Sequence, residues 1–146
     1  DQVLHVATHC LCLEAQRSAR ALARRFDAVF RRFGLTNGQF SLMMALNSPE
    51  PPTITRLAAF LAMDRTSLTA MLKPLERRGL AVVCPGEHDR RTRHVAITPV
   101  GVALLSEAVQ VWHETHRVLD EELGPARATR LRADLGALRA GGPRPG

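Results

Sequence analysis

The residues best placed by type and spacing to do chemistry lie in one short stretch, Asp64 to Gly79, DRTSLTAMLKPLERRG. At helical period, Leu68, Met71, Leu72 and Leu75 fall on one face, while Thr66, Thr69, Ala70, Lys73 and Arg77 fall on the other. Asp64 can cap the helix by accepting the free N–H groups of its first turn, and Gly79 can stop it. The result is a helix with an apolar back and a small, polar, cationic front. Such a front suits a DNA major groove, where hydroxyls and small side chains meet base edges and Lys or Arg meets phosphate. On this reading Thr66, Ser67, Thr69 and Ala70 approach bases, Lys73 and Arg77 approach phosphates, and Arg65 joins them in the DNA-binding set. The Ala70 methyl can pack on a thymine methyl but cannot form a bidentate pair, so readout leans on Thr66 and Thr69. The plainer alternative is an amphipathic helix with a solvated face.

The flanking elements favour the groove reading. TITRLAAFLAM is a second short apolar-periodic helix with Thr55 as its expected cap, and it abuts the first with almost no linker, as in a helix-turn-helix. After the helix come two β-branched runs, LAVVC and HVAIT, joined by the turn-rich basic stretch PGEHDRRTR. Two strands with a basic tip make a β-ribbon, the wing of a winged helix. Asp89 is expected to hold the tip in shape, with Arg65 as a partner, leaving Arg90 and Arg91 to enter a narrow minor groove where the potential is most negative. Pro74 removes one backbone donor inside the recognition helix; the apolar register of LKPLERRG continues on both sides, which favours a bend over a restart.

This segment resembles the MarR family of bacterial transcription regulators. The matching residues are Leu57 and Ala58, the block DRTSLTAMLKPLERRGL, and the wing pattern Asp89-x-Arg91-x-x-x-Val95-x-Ile97-Thr98-x-x-Gly101. The similarity extends more weakly from about Cys10 to Leu138. It implies a mainly α fold: a winged helix-turn-helix with a two-stranded β wing, flanked by N- and C-terminal dimerisation helices. It also implies a homodimer on a pseudo-palindromic operator of double-stranded DNA, with Arg91 as the wing residue in contact. Two recognition helices related by a two-fold axis meet successive major grooves roughly 34 Å apart.

Composition agrees with a nucleic-acid partner. The chain has 146 residues, 45% hydrophobic and 23% charged, as expected of one ordinary globular domain. Its formal net charge is +6 and its pI about 10.8, which favours an anionic partner. No apolar run is long enough to span a membrane, and DQVLHVATHC lacks the basic and apolar regions of a secretory signal. Three cysteines without framework spacing point to a reduced, cytoplasmic setting.

The rest of the chain reads as helices around this centre. Ala7 to Phe33 reads as one long helix with an apolar stripe through Leu11, Ala15, Ala19, Leu22, Phe26, Val29 and Phe33, ended by Gly34. Thr36 caps the next, and Pro49, Pro51 and Pro52 follow as a loop. Beyond Gly101 a stripe from Leu104 to Leu123 runs to Gly124 and Pro125, and a last helix carries Leu131, Leu135 and Leu138. The expected organisation is a single domain over 1–140, with the winged helix-turn-helix at about 36–101, dimerisation helices at about 7–33 and 101–140, and a disordered tail at 141–146.

Three kinds of signal sensing are open. Organic-hydroperoxide-sensing members of the resembled family carry a reactive cysteine in the first helix at a place matching Cys12, held by tyrosines. This chain has no tyrosine, and Phe26 and Asn37 stand where those hydroxyls would be sought. Cys10 and Cys12 would point about 200° apart on a continuous helix, which disfavours a bridge between them. Cys84 reads as structural. His5 with His9 and His113 with His116 have helical spacing, but neither pair is joined by a metal-site pattern, so no metal and no cofactor is expected. The resemblance also implies a small aromatic or phenolic effector between the dimerisation helices and the winged helix, where Arg17, Phe26, Phe40 and Met43 could line a pocket or simply form core. Against a DNA-binding regulator, most simply a repressor relieved by ligand or oxidant, stands a winged helix used only as a protein-interaction module. An enzyme is the distant class, since G-x-S-x-G, H-E-x-x-H and a phosphate-binding Gly loop are all missing.

Overall fold

The computed structural model describes residues 1–141. In chain order the elements are α1 (Gln2–His9), α2 (Leu11–Phe30), a 3-10 turn (Arg31–Phe33), α3 (Asn37–Leu46), α4 (Ile54–Phe60), α5 (Arg65–Arg77), β1 (Ala81–Pro85), β2 (Arg93–Ile97), α6 (Pro99–Leu123) and α7 (Pro125–Ala140). The strands form one antiparallel ribbon with Ala81 opposite Ile97 and Pro85 opposite Arg93. The mainly helical fold with a two-stranded wing is thus present. Of the tail expected at 141–146, all but Gly141 lies outside the described residues.

The chain divides into two compact units, Asp1–Val111 and Trp112–Gly146. The first holds the core. Phe30, Leu42, Met43, Leu46, Leu57, Leu68, Leu72, Leu75 and Val95 are its largest fully buried side chains. They come from α2, α3, α4, α5 and β2, so the recognition helix is seated by its apolar back on α3 and α4. Phe40 stacks on Phe30 at 4.4 Å between ring centroids. In the second unit Arg117 pairs with Glu114 and Glu121, each at 2.6 Å, and Arg132 pairs with Asp120.

Two expected boundaries are corrected. The single helix from Ala7 to Phe33 is broken at Cys10, whose backbone is extended (φ −79°, ψ 105°). Cys10 acts as a cap: its sulfur accepts from the Leu13 N–H at 3.4 Å and its carbonyl from the Glu14 N–H at 3.1 Å. Apolar periodicity runs through such a one-residue excursion and does not reveal it. The cap of α4 is Thr53, not Thr55. Thr53 is held extended by a bridge to His94, and its hydroxyl accepts from the Arg56 N–H at 3.1 Å, whereas Thr55 lies within the helix.

Other local expectations hold. Thr36 and Gln39 form a capping box at α3. Asp64 caps α5, and the helix passes through Pro74 to Arg77 without a restart. Gly34, at φ +66°, turns the chain out of the 3-10 segment in a conformation that side chains resist.

The wing is fastened at its base. Thr98 donates its hydroxyl to the Gly79 carbonyl at 2.6 Å and accepts from the Gly101 N–H at 3.0 Å. Its own N–H donates to the Leu80 carbonyl at 3.1 Å. Gly101 is buried there, and a Cβ on it would stand 2.2 Å from the Leu80 oxygen. The Thr98-x-x-Gly101 pattern therefore has a packing reason. On the other side, His94 Nδ1 donates to the Pro51 carbonyl at 3.0 Å and Val95 N–H to Pro52 at 2.9 Å.

Candidate nucleic-acid interface

The front of α5 is exposed from Arg65 to Arg77 except at the positions that pack inward. Arg65, Thr66, Ser67, Thr69, Ala70, Lys73 and Arg77 are all exposed, while Leu68, Leu72 and Leu75 are buried. Asp64 holds the start of the helix with both carboxylate oxygens, accepting from the Ser67 N–H and the Ser67 hydroxyl, each at 2.7 Å. Those two bonds hold its carboxyl below the usual value.

The hydroxyls differ in what they have left to offer. Ser67 donates to Asp64, and Thr69 donates to the Arg65 carbonyl at 2.8 Å. Each retains lone pairs and so suits a base-edge donor such as an exocyclic amine. Thr66 has no partner among the described residues, so its hydroxyl can donate or accept. The side chains of Arg65, Lys73 and Arg77 likewise have no hydrogen bond or ion pair among the described residues, which leaves their charge available to phosphate.

The wing tip presents Arg90 and Arg91, both exposed and both without an ion-pair partner among the described residues. Asp89 shapes the tip by a bond different from the one expected. Its Oδ1 accepts from the Arg91 N–H at 3.0 Å, and its carbonyl accepts from the Thr92 N–H at 3.0 Å. It makes no ion pair with Arg65; an Asx-type turn satisfies the carboxylate locally instead.

The expected effector residues fall in two settings. Phe26, Phe40 and Met43 are buried in the core, at 5%, 5% and 0% exposure. Arg17 is on the exposed face of α2, paired with Glu14 at 2.8 Å. A separate cleft of about 450 Å³ lies beside α4, lined by Pro49, Pro52, Arg56 and Phe60 among others.

All three cysteines are free thiols. Cys12 is exposed and accepts from the Gln16 amide at 3.3 Å. The 200° separation from Cys10 no longer applies, because Cys10 is outside the helix. Cys84, half-buried on β1, donates weakly to the His94 carbonyl at 3.7 Å. The His5 and His9 rings stack at 4.2 Å, and His113 and His116 both lie against Trp112. Burial pushes His116 below the ordinary histidine range. Among the described residues no group of three or more metal-binding side chains comes together, and no helix is long and apolar enough to cross a membrane.

Sequence reading missed two long-range contacts at this site. Arg78 donates its guanidinium to the Gly34 and Phe33 carbonyls at 2.7 and 2.9 Å. Asp27 accepts from the Asn37 N–H at 2.6 Å. No periodicity marks either, since each joins segments distant in sequence.

Residues 35–92 match the model of the MarR family. A DNA complex of the transcriptional regulator MosR from M. tuberculosis superposes with a TM-score of 0.80 at 33% identity, over 89% of this chain and 93% of that one. The transcriptional repressor CouR, bound to a DNA duplex, superposes at 0.82 with 27% identity, over 92% and 95%. The organic hydroperoxide resistance transcriptional regulator of Bacillus subtilis is 27% identical over 101 residues, 69% of each chain.

Proposed function

Because the chain belongs to the MarR family of transcription regulators, we propose that it binds a pseudo-palindromic operator as a homodimer and represses until a small ligand or oxidant releases it. The observation that carries this reading is the unpartnered front of α5. It offers Thr66, Lys73 and Arg77 beside two half-committed hydroxyls, on a helix that buries Leu68, Leu72 and Leu75 at its back. Thr66, Ser67, Thr69 and Ala70 meet base edges, Arg65, Lys73 and Arg77 meet phosphates, and Arg90 and Arg91 reach the flanking minor groove. Asp89 keeps the tip folded for that contact. The solved MosR and CouR structures, both with DNA, support this use of the fold.

The dimer follows from apolar surface that one chain leaves uncovered. Val3, Leu4, Val6 and Leu11 on the N-terminal helices are exposed, and so are Leu131, Leu135 and Leu138 on α7. A second copy covering both stripes removes that apolar area from water. The protein acts as a regulator rather than an enzyme, in the cytoplasm with the DNA it controls. A winged helix serving only protein contacts would have no use for the unpartnered arginines at the tip.

The oxidant arm rests on the exposed Cys12 thiol and on the named role of the B. subtilis relative. Binding to a duplex enriched from a random-sequence pool, titrated with salt and with organic hydroperoxide, tests both parts. Selective, salt-sensitive binding supports the operator reading. Release by peroxide that Cys12→Ser abolishes supports the thiol; release unaffected by that change removes Cys12 from the mechanism.

A further inference from the structure

The last turn of the recognition helix carries two adjacent arginines with opposite commitments. Arg77 is exposed with no partner among the described residues. Arg78, the C-cap of α5, reaches across 44 sequence positions to Gly34, with Nη1 at 2.7 Å from its carbonyl, and places Nη2 2.9 Å from the carbonyl of Phe33. These two carbonyls close the end of the 3-10 turn that follows α2. They are acceptors that a helix terminus leaves unsatisfied, at the negative end of its dipole. A planar fork matches two successive carbonyls where an ammonium would meet only one.

The contact is tight from both sides. Gly34 is held at φ +66°, and a Cβ there would stand 3.0 Å from Arg78 Nη1. A few residues earlier on α2, Asp27 accepts from the Asn37 N–H at the start of α3. The end of α2 is thus bonded by side chains to both α3, which precedes the helix-turn-helix, and α5, its recognition helix.

We infer that Arg78 is a positioning residue for DNA recognition: its guanidinium clasps the end of α2 and sets the angle at which α5 enters the groove. This rests on the operator-binding reading. α2 is a rod of about 30 Å, so a displacement along it reaches α5 through this clasp. Without the clasp, the groove-competent orientation is a smaller fraction of the population, and apparent affinity falls by that fraction.

The test uses the full chain and the duplex that the wild-type protein enriches from a random pool, with a scrambled duplex of equal length for comparison. Arg78→Gln is expected to weaken the enriched duplex by about tenfold and the scrambled one far less. Arg78→Lys keeps the charge but only one of the two bonds, and does not restore wild-type affinity. In a Gly34→Ala background, where the clasp is already disturbed, Arg78→Gln costs less than about twofold more. Thermal melts confirm that each variant is folded at the binding temperature. A phosphate-contacting Arg78 would instead be rescued by lysine and would cost the same in either background; either result overturns the inference. So does Arg78→Gln binding the enriched duplex as wild type does. If the wild-type protein itself enriches no duplex, the operator reading fails, which is a distinct result.

Discussion

Replacing Gly101 by alanine sets helix propensity against packing, and the two disagree in sign. Alanine is the better helix former by about 1 kcal/mol in a helix interior, less near an end. Gly101 lies in the first turn of α6, so propensity alone predicts a modest gain. The structure predicts a loss. The new Cβ would stand 2.2 Å from the Leu80 oxygen, 2.8 Å from Ile97 Cγ1 and 3.1 Å from the Leu80 carbonyl carbon. An ordinary C···O approach is about 3.3 Å, so backbone must move by about 1 Å. The atom in the way is a carbonyl that also accepts from the Thr98 N–H at 3.1 Å. Overpacking of this kind costs typically about 1–3 kcal/mol. Taking the upper part of that range against the propensity gain leaves a net loss of about 2 kcal/mol. For a chain of this size that lowers Tm by roughly 5–10 °C. The assay is a thermal melt at fixed protomer concentration, since dimer stability depends on it, with a urea series to confirm that m is unchanged. The wing base moves with Leu80, so DNA affinity falls too. A Tm equal to or above wild type would refute the close-approach reasoning.

Further outcomes follow from the same contacts. Lys73→Ala weakens binding to all duplexes alike and reduces the salt slope by about 0.9 for each subunit of the homodimer, about 1.8 in all; an unchanged slope removes Lys73 from the phosphate set. Thr53→Ala removes the cap of α4 and costs about 1 kcal/mol, whereas Thr55→Ala, exposed within the helix, stays within about 0.5 kcal/mol of wild type; reversed effects on the melt would restore Thr55 as the cap. Asp64 has its carboxyl lowered from the usual 3.8 by the Ser67 bonds. Its contribution is therefore complete above that value and is lost as pH falls through the lower, folded one. Asp64→Asn flattens this acid limb, and an unchanged acid-unfolding profile would contradict the carboxylate's role.

Most of the winged helix was legible because it is built from local signals. Leu68, Leu72 and Leu75 repeat at helical period, Thr36 and Gln39 sit three apart, and Asp64 precedes an apolar run; each signal lies within a few residues. What escaped depends on dihedral angles or on distant partners. Cys10 interrupts the first helix through one extended residue, with sulfur in a capping role that composition does not announce. Thr53 and Thr55 are equally good caps in isolation, and only the bridge to His94 across the fold selects Thr53. Arg77 and Arg78 look interchangeable in sequence, yet one is unpartnered and the other clasps Gly34. Phe26, Phe40 and Met43 fit either pocket or core by type; in the single chain all three are buried, Phe26 and Phe40 with their rings against Phe30.

The most direct measurement is selection of duplexes from a random-sequence pool by the wild-type protein, followed by a salt titration on the enriched sequence and on its scrambled counterpart. Enrichment of a two-fold symmetric site, with half-sites about one helical turn apart and a steep salt dependence that an Arg91→Ala variant reduces along with the affinity, is the predicted result. Recovery of an unenriched pool, with weak binding indifferent to sequence and to Arg91→Ala, would contradict it and move the protein-interaction module ahead.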